Sequence, residues 1–190
     1  MARLEPPARS DAQLVEEALG GSSFAEEALY RRYAGKIANV AGRVTGSREA
    51  AADILQETFL EAFTTLAKIR DPALFPRWLT RIAIHRSHRF LRRRSLRLRL
   101  GFVDTPADVF ESSIGSDAPQ EQRAELRRLD RALDRLAPVD RSAWVLRHVE
   151  GYGLREVAAL SGCSLSTVKR RLARAQRQVE AHVADVRRGE

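Results

Sequence analysis

The sequence predicts an all-α protein of two small helical domains joined by an acidic, irregular linker, the second domain being a helix-turn-helix module. Three observations carry this reading. Apolar residues recur at helical spacing in both halves of the 190-residue chain. Between the halves, residues 101–122 (GFVDTPADVFESSIGSDAPQEQ) hold Gly, Pro, Ser and Asp at a density no helix keeps. Charge follows the same division. Residues 1–100 carry 18 basic and 11 acidic side chains, 101–125 carry one basic and six acidic, and 126–190 carry 14 basic and eight acidic. The expected layout is a flexible tail over 1–9, a helical domain over 10–99, the linker over 100–124, a second domain over 125–186 and a tail over 187–190.

The first half reads as four helices. Ser10-x-x-Gln13 and Ser23-x-x-Glu26 have capping-box spacing, and Gly20-Gly21 separates the helices they begin. The second helix, from about Phe24 to Val44, places Tyr30, Tyr33, Ile37 and Val40 at helical spacing. Ser47 can cap a third helix over 48–68, with Ala52, Leu55, Phe59, Ala62, Phe63 and Leu66 on one face. Asp53, Glu57 and Glu61 follow each other at i+4 on the opposite face, flanked by Gln56 and Leu60. Such a row is either a solvated face or a docking surface for a basic partner.

A fourth helix starts near Pro76, a favoured first-turn residue, with Phe75, Trp78, Leu79 and Ile82 on one face. It runs into HRSHRFLRRRSLRLR, residues 85–99, where seven arginines fall and no acid stands between Asp71 and Asp104. Arginine interleaved with Phe90, Leu91, Leu96 and Leu98 suits a surface that tracks phosphates and stacks bases. The competing readings are a membrane-surface helix and a merely soluble face. A tryptophan-anchored stripe packs better into a core than into lipid.

In the second half, Leu126–Leu136 reads as a helix ended by Ala137-Pro138. Asp140–Val149 is the next, with Trp144, Val145 and Val149 inward. After Gly151-Tyr152-Gly153 comes a short helix over 154–160, a tight turn at SGCS, and a last helix over 165–183 that Ser164 can cap. Val168, Leu172, Ala175 and Val179 form its apolar stripe. Ser166, Arg170, Arg174 and Arg177 project from the other side, with Thr167, Lys169 and Arg171 beside them. Short helix, turn and basic second helix make a helix-turn-helix, whose arginines can read guanine in the major groove. The plain alternative is a helical hairpin with solvated arginines.

Several classes are excluded. One cysteine, Cys163, cannot build a disulfide framework or a Cys-based zinc site. No apolar run approaches the ~18 residues of a membrane span. The opening residues MARLEPPARS lack the apolar core of a secretory signal. His85 and His88 stand at i, i+3 among arginines that repel a metal ion, and His148 and His182 are isolated. No catalytic residue, metal or cofactor is expected.

Taken together and in order, these motifs resemble the bacterial sigma-70 family of RNA polymerase sigma factors, in its small extracytoplasmic-function (ECF) class. AADILQETFLEAF (51–63) resembles the family's polymerase-binding helix, FPRWLTRIAIHRSHRFLRRR (75–94) its helix for the −10 promoter element, and residues 133–179 its module for the −35 element. The chain departs from the pattern at His85, where the family often has Asn, and at Arg89, where it often has Asp. It has Leu136-Ala137-Pro138 for the usual Leu-Pro-Pro and Ser166 for the usual Gly before Thr167-Val168.

The resemblance implies a cytoplasmic, non-enzymatic protein that joins core RNA polymerase and directs it to promoters without inserting into a membrane. Asp53, Gln56, Glu57 and Leu60 would meet the β′ subunit, and the second module would sit on the β flap. Arg81, His85, Arg86, Arg89, Arg92, Arg93 and Arg94 would hold the −10 region. Ser166, Thr167, Lys169, Arg170, Arg171 and Arg174 would hold the −35 element. The acidic linker would thread toward the RNA path. Members of the class often have an anti-sigma factor as a further partner. From the residues alone, one alternative stays open: a two-domain helix-turn-helix regulator that binds DNA without joining polymerase. Such a regulator has no need of the acidic row at 53–61.

Overall fold

The computed structural model describes residues 9–101, 110 and 119–188, with side chains placed for all of these except Arg123 and 183–188. Most of the expected linker and the outer parts of both tails lie outside the described residues. The regular elements among the described residues are helices. They are α1 (Asp11–Leu19), α2 (Ser23–Thr45), α3 (Arg48–Thr64), α4 (Phe75–Arg99), α5 (Gln120–Asp134), α6 (Pro138–Trp144), α7 (Leu154–Ser161) and α8 (Leu165–Arg188). Two 3-10 turns, Leu66–Lys68 and Pro72–Leu74, join α3 to α4, and a π-helical turn, Val145–Val149, extends α6.

Local chemistry sets most of these boundaries. The Ser10 hydroxyl accepts from the Gln13 backbone N–H at 3.3 Å while the Gln13 side chain accepts from the Ser10 N–H at 2.9 Å, a complete capping box. The cap of α2 is Ser22 rather than Ser23: its hydroxyl accepts from the Ala25 N–H, and Ser23 is already helical. Two adjacent serines satisfy the same local rule, and the Ser22 hydroxyl takes the role. Ser47 caps α3 through the Ala50 N–H at 3.2 Å. α2 closes on Gly46, whose φ of +72° only glycine adopts readily. Helix α5 begins at Gln120, six residues before the apolar periodicity does, because its first turn and a half is polar and leaves no stripe to read.

On α3 the buried residues are Ala50, Ala51, Ile54, Thr58, Phe59 and Ala62, whereas Ala52 is exposed. This stripe is rotated from the expected one because α3 lies between α2 and α4 and packs on both. The first module's core gathers Leu14, Leu29, Ile37, Phe59, Phe75 and Leu79 from α1–α4. The second module's core joins Leu133, Leu136, Trp144, Val145, Ala175 and Val179 from α5, α6 and α8.

A third core belongs to both halves. Val40, Val44 and Ile84 pack with Leu146, Val157, Leu160 and Val168, each nearly or wholly buried. Burial of such side chains contributes about 1.5–3 kcal/mol each before chain entropy is counted. Polar contacts surround this core. Arg43, with a side chain 2% exposed, meets Asp130 at 2.8 Å. Lys36 meets Glu150 at 3.2 Å, and Arg77 pairs with Glu156. Thr80 and Tyr152 share a hydroxyl hydrogen bond of 3.2 Å. The two halves therefore meet face to face, an arrangement with no periodic signature in the sequence.

Candidate functional site

The outer face of α3 carries Asp53, Gln56, Glu57 and Leu60, all exposed. Leu60 is 68% exposed, the largest value among the big apolar side chains described. Residues 53, 56, 57 and 60 follow the i, i+3, i+4, i+7 rule and so share one surface. Glu57 and Glu61 are not a bare acidic row, because Arg86 of α4 reaches across to both. Its Nε donates to Glu61 at 2.8 Å, and its Nη1 donates to Glu57 at 2.5 Å. The hydrogen bonds to Glu61, and then those to Glu57, hold the Arg86 guanidinium more firmly protonated than usual. Asp53 has no such partner among the described residues.

On α4, Arg81, His85, Arg89 and Arg92 project from one arc and are exposed. Arg93 is exposed on a neighbouring arc, next to the position from which Arg86 turns toward α3. Arg94 is half-buried and points elsewhere. The structure thus brings together four of the seven residues assigned to the −10 region, with Arg93 at their edge. It gives Arg86 a partner inside the protein. Burial, then the charge of Arg81, lowers the His85 pKa. The ring is therefore neutral near pH 7 and offers one donor and one acceptor. A cavity of about 460 Å³ opens between the start of α4 and α7, with Lys68, Arg70, Arg77, Arg81 and Arg155 around an apolar floor of Trp78 and Leu160.

The helix-turn-helix is as the spacing implies. α7 ends on Gly162 at φ +60°, which turns the chain so that Ser164 can cap α8 through the Thr167 N–H at 3.2 Å. At the mouth of the helix the Ser164 hydroxyl lies 2.9 Å from those of Ser166 and Thr167. Val168, Ala175 and Val179 are buried, which leaves Ser166, Lys169 and Arg170 on the outer face. Two assigned residues behave differently. Arg171 turns toward the Cys163 sulfur at 3.4 Å. Arg174 grips Asp140 of α6 with two hydrogen bonds, Nε at 2.5 Å and Nη2 at 2.6 Å. The Asp140 side chain is 1% exposed, so Arg174 neutralises a buried carboxylate.

Spacing marked some of the residues where the halves meet, such as Val40, Val168 and His88, but not what they meet. His88 faces Ser142 of α6 at 2.9 Å, and burial, reinforced by Arg92, Arg171 and His85, pushes its pKa down to about 4. Arg141 donates to the Leu133 carbonyl, to the Val44 carbonyl at 3.3 Å and to Asp134 at 2.8 Å. Burial lowers its pKa, but a guanidinium stays charged. The available signal was an arginine inside an apolar pattern, as at Arg43 between Val40 and Val44. Among the described residues, no group of three or more His, Cys, Asp or Glu side chains is placed to hold a metal ion. No described helix is long and apolar enough to cross a membrane.

Comparison with known proteins fits this layout. Residues 29–97 match the family described as Sigma-70 region 2, and residues 126–179 match Sigma-70, region 4. The chain is 30% identical over 181 residues to the ECF RNA polymerase sigma-E factor of Salmonella typhimurium, covering 92% of this chain and 94% of that protein. It is 30% identical over 177 residues to the RNA polymerase sigma-H factor of Pseudomonas aeruginosa, covering 90% and 92%. The structure of CnrH in complex with the cytosolic domain of CnrY shares the fold, with a TM-score of 0.67 at 24% identity over 93% of this chain and 99% of that one. The sigma factor RpoE of Bartonella quintana, in complex with the anti-sigma factor NepR, does so with a TM-score of 0.67 at 19% identity over 83% and 96%. The regulator reading that the residues left open is set aside: the chain belongs to the sigma-70 family, in its ECF class, and is an alternative sigma factor.

Proposed function

We propose that the chain binds core RNA polymerase through the α3 face of Asp53, Gln56, Glu57 and Leu60 and delivers it to promoters through α4 and α8. The observation that carries this reading is the separation of two kinds of exposed surface. One helix face is acidic with an exposed leucine. Two other helices expose arginine and lysine. An acidic face with an apolar centre suits the basic clamp helices of the β′ subunit, where desolvated apolar contact gives affinity and charge gives orientation. The exposed cations suit phosphate and base edges.

In this reading Ser166, Lys169 and Arg170 enter the major groove of the −35 element, with the N-terminal end of α8 leading. Arg81, His85, Arg89, Arg92 and Arg93 hold the −10 region as its strands part. Extruding a base takes a few kcal/mol of lost stacking, which capture of the single strand on a cationic surface offsets without ATP. Thr167, Arg171 and Arg174 support the reading helix rather than reading bases, and Arg86 links the −10 helix to the polymerase face. The cytoplasm is the compartment such a role requires, and an anti-sigma protein is a fitting regulator. The test is transcription in vitro with purified core polymerase, followed by mapping of start sites. Discrete starts downstream of one recurring pair of elements support the reading, and an absence of starts above core alone overturns it.

A further inference from the structure

The cavity between the start of α4 and α7 gathers more cations than promoter binding by α4 uses. The stretch that holds the two 3-10 turns presents Lys68 and Arg70 on one wall, both exposed. Arg77 and Arg81 stand at i, i+4 on α4, and Arg155 comes from α7. Two carboxylates lie among these cations, and both are engaged. Glu156 accepts from the Gly153 N–H at 2.7 Å and pairs with Arg77. Asp71 accepts from the Ala73 N–H at 3.0 Å. Lys68, Arg70, Arg81 and Arg155 have no ion-pair partner among the described residues. The floor is of another kind. Leu160 is 4% exposed, and Trp78 is half-buried with its ring 6.1 Å from that of Phe75.

We propose that this cavity binds a free nucleoside polyphosphate, with the base on Trp78 and the phosphates among Lys68, Arg70, Arg81 and Arg155. Three features favour this over a merely solvated cluster. The volume of about 460 Å³ lies in the range of small-molecule sites. The charge is one-sided: like charges drawn around one hollow repel each other, and a bound polyanion removes that repulsion. A chain of two or three phosphates matches such an excess, whereas a single carboxylate leaves most of it standing. Arginine's planar fork also takes phosphate oxygens in pairs. Last, a tryptophan beside cations offers a flat apolar surface on which any base can stack. The cations come from three separate parts of the chain around one hollow. That suits a compact polyphosphate, whereas an extended strand needs cations in a line.

One consequence rests on the functional reading above. Arg81 belongs both to this cavity and to the α4 arc that holds the −10 region. A nucleotide bound in the cavity occupies a cation that the promoter strand also needs, so the two compete. The site itself does not depend on that reading, because Lys68, Arg70 and Arg155 lie outside the promoter-binding set.

The test uses the full chain and titration calorimetry in magnesium-free buffer, with ATP, GTP and inorganic tripolyphosphate as probes. One nucleoside triphosphate should bind per chain, about tenfold more tightly than tripolyphosphate, the value of one stacked base. Lys68→Ala and Arg155→Ala should each weaken it about tenfold. Trp78→Leu should remove the preference for the nucleotide and leave tripolyphosphate binding in place. Helical circular dichroism and the melting temperature of each variant separate loss of the site from unfolding. The proposal is overturned if neither nucleotide binds. Equal affinity for nucleotide and tripolyphosphate would overturn it too, as an ion cluster only, and so would unchanged affinity in both the Lys68 and the Arg155 variants. If a nucleotide binds as expected but a single-stranded −10 oligonucleotide does not compete with it, the site stands and the promoter role of Arg81 is what fails.

Discussion

The two arginine-rich helices, α4 and α8, look alike in the sequence and are treated differently by the fold. Each holds an arginine captured by carboxylates of another helix, and Arg86 and Arg174 show the contrast. Arg86 of α4 is held by Glu57 and Glu61, whose side chains are 53% and 40% exposed. Arg174 of α8 is held by Asp140, which is 1% exposed. The carboxylates of the first pairing are about half-exposed, where ion pairs are weaker and more exchangeable than in a core, so Arg86 can be released when a partner claims Glu57. The second cannot open without leaving a bare carboxylate in the core. The burial of the acid, not the type of base, therefore decides whether an arginine is available to a ligand.

The largest expected effect tests the exchangeable side. Reversing Asp53 and Glu57 to arginine should weaken binding to core polymerase by about one-hundredfold, since facing like charges costs several kcal/mol. Helicity should be unchanged. Asp53→Arg alone, which leaves Arg86 paired, should retain much of that loss. If the double reversal binds core as tightly as the parent chain in a competition assay, the α3 face is not the docking surface.

The boundary where α4 meets the second module adds a pH dependence. His88 is neutral near pH 7 in the folded chain, with its pKa lowered to about 4 from an ordinary value of 6.5. The neutral ring's contribution is complete above pH 6.5 and is lost as pH falls from 6.5 toward 4, because the unfolded chain takes up the proton first. The loss is about 3 kcal/mol at most. Denaturant unfolding between pH 7 and pH 4 should show this fall, and His88→Gln, which can still reach Ser142, should flatten it. An unchanged slope in the variant would assign the pH dependence to other groups.

Arg170→Ala and Arg174→Ala divide the roles on α8. Loss of Arg170 should remove ~1–3 kcal/mol of discrimination at one or two −35 positions and leave the melting temperature alone. Loss of Arg174 should lower the melting temperature by several degrees and leave base preference alone. Binding of promoter variants alongside a melting curve decides it, and exchanged phenotypes would refute the burial rule stated above.

On α4, alanine at Arg89 and Arg92 should reduce open complexes about tenfold, read as permanganate reactivity of the −10 thymines, with activity restored on a premelted template. Equal loss on both templates would move these residues to an earlier step. The smallest effect is expected at Arg177, which lies beyond the reading end of α8. Arg177→Ala should weaken all promoters about equally and lower the salt slope by about 1. A change in base preference would show that α8 lies deeper in the groove than proposed.

Much of the fold was legible because helices announce themselves locally. The caps at Ser10, Ser47 and Ser164 and the stripe of Val168, Ala175 and Val179 needed no tertiary information. The same holds for the break at Gly162 and for the exposed positions of Asp53, Gln56, Leu60, Ser166 and Arg170. The choice of Ser22 over Ser23, the start of α5 at Gln120 and the rotation of the α3 stripe were not legible. In the first two cases neighbouring residues satisfy the same local rule, and in the third two flanking helices compete for one surface.

Which segments are helical, and the apolar stripe of α8, follow from the sequence alone, because these depend on contacts within a few residues. Tertiary structure decided which arginines are available, since the carboxylates that capture Arg86 and Arg174 lie 25 and 34 residues away. It also decided that Val44, Ile84, Leu146 and Val168 share one core and that Phe110 fills the space above Gly42. Those pairings join segments tens of residues apart, and a periodic pattern can say that a face is apolar but not which other face covers it.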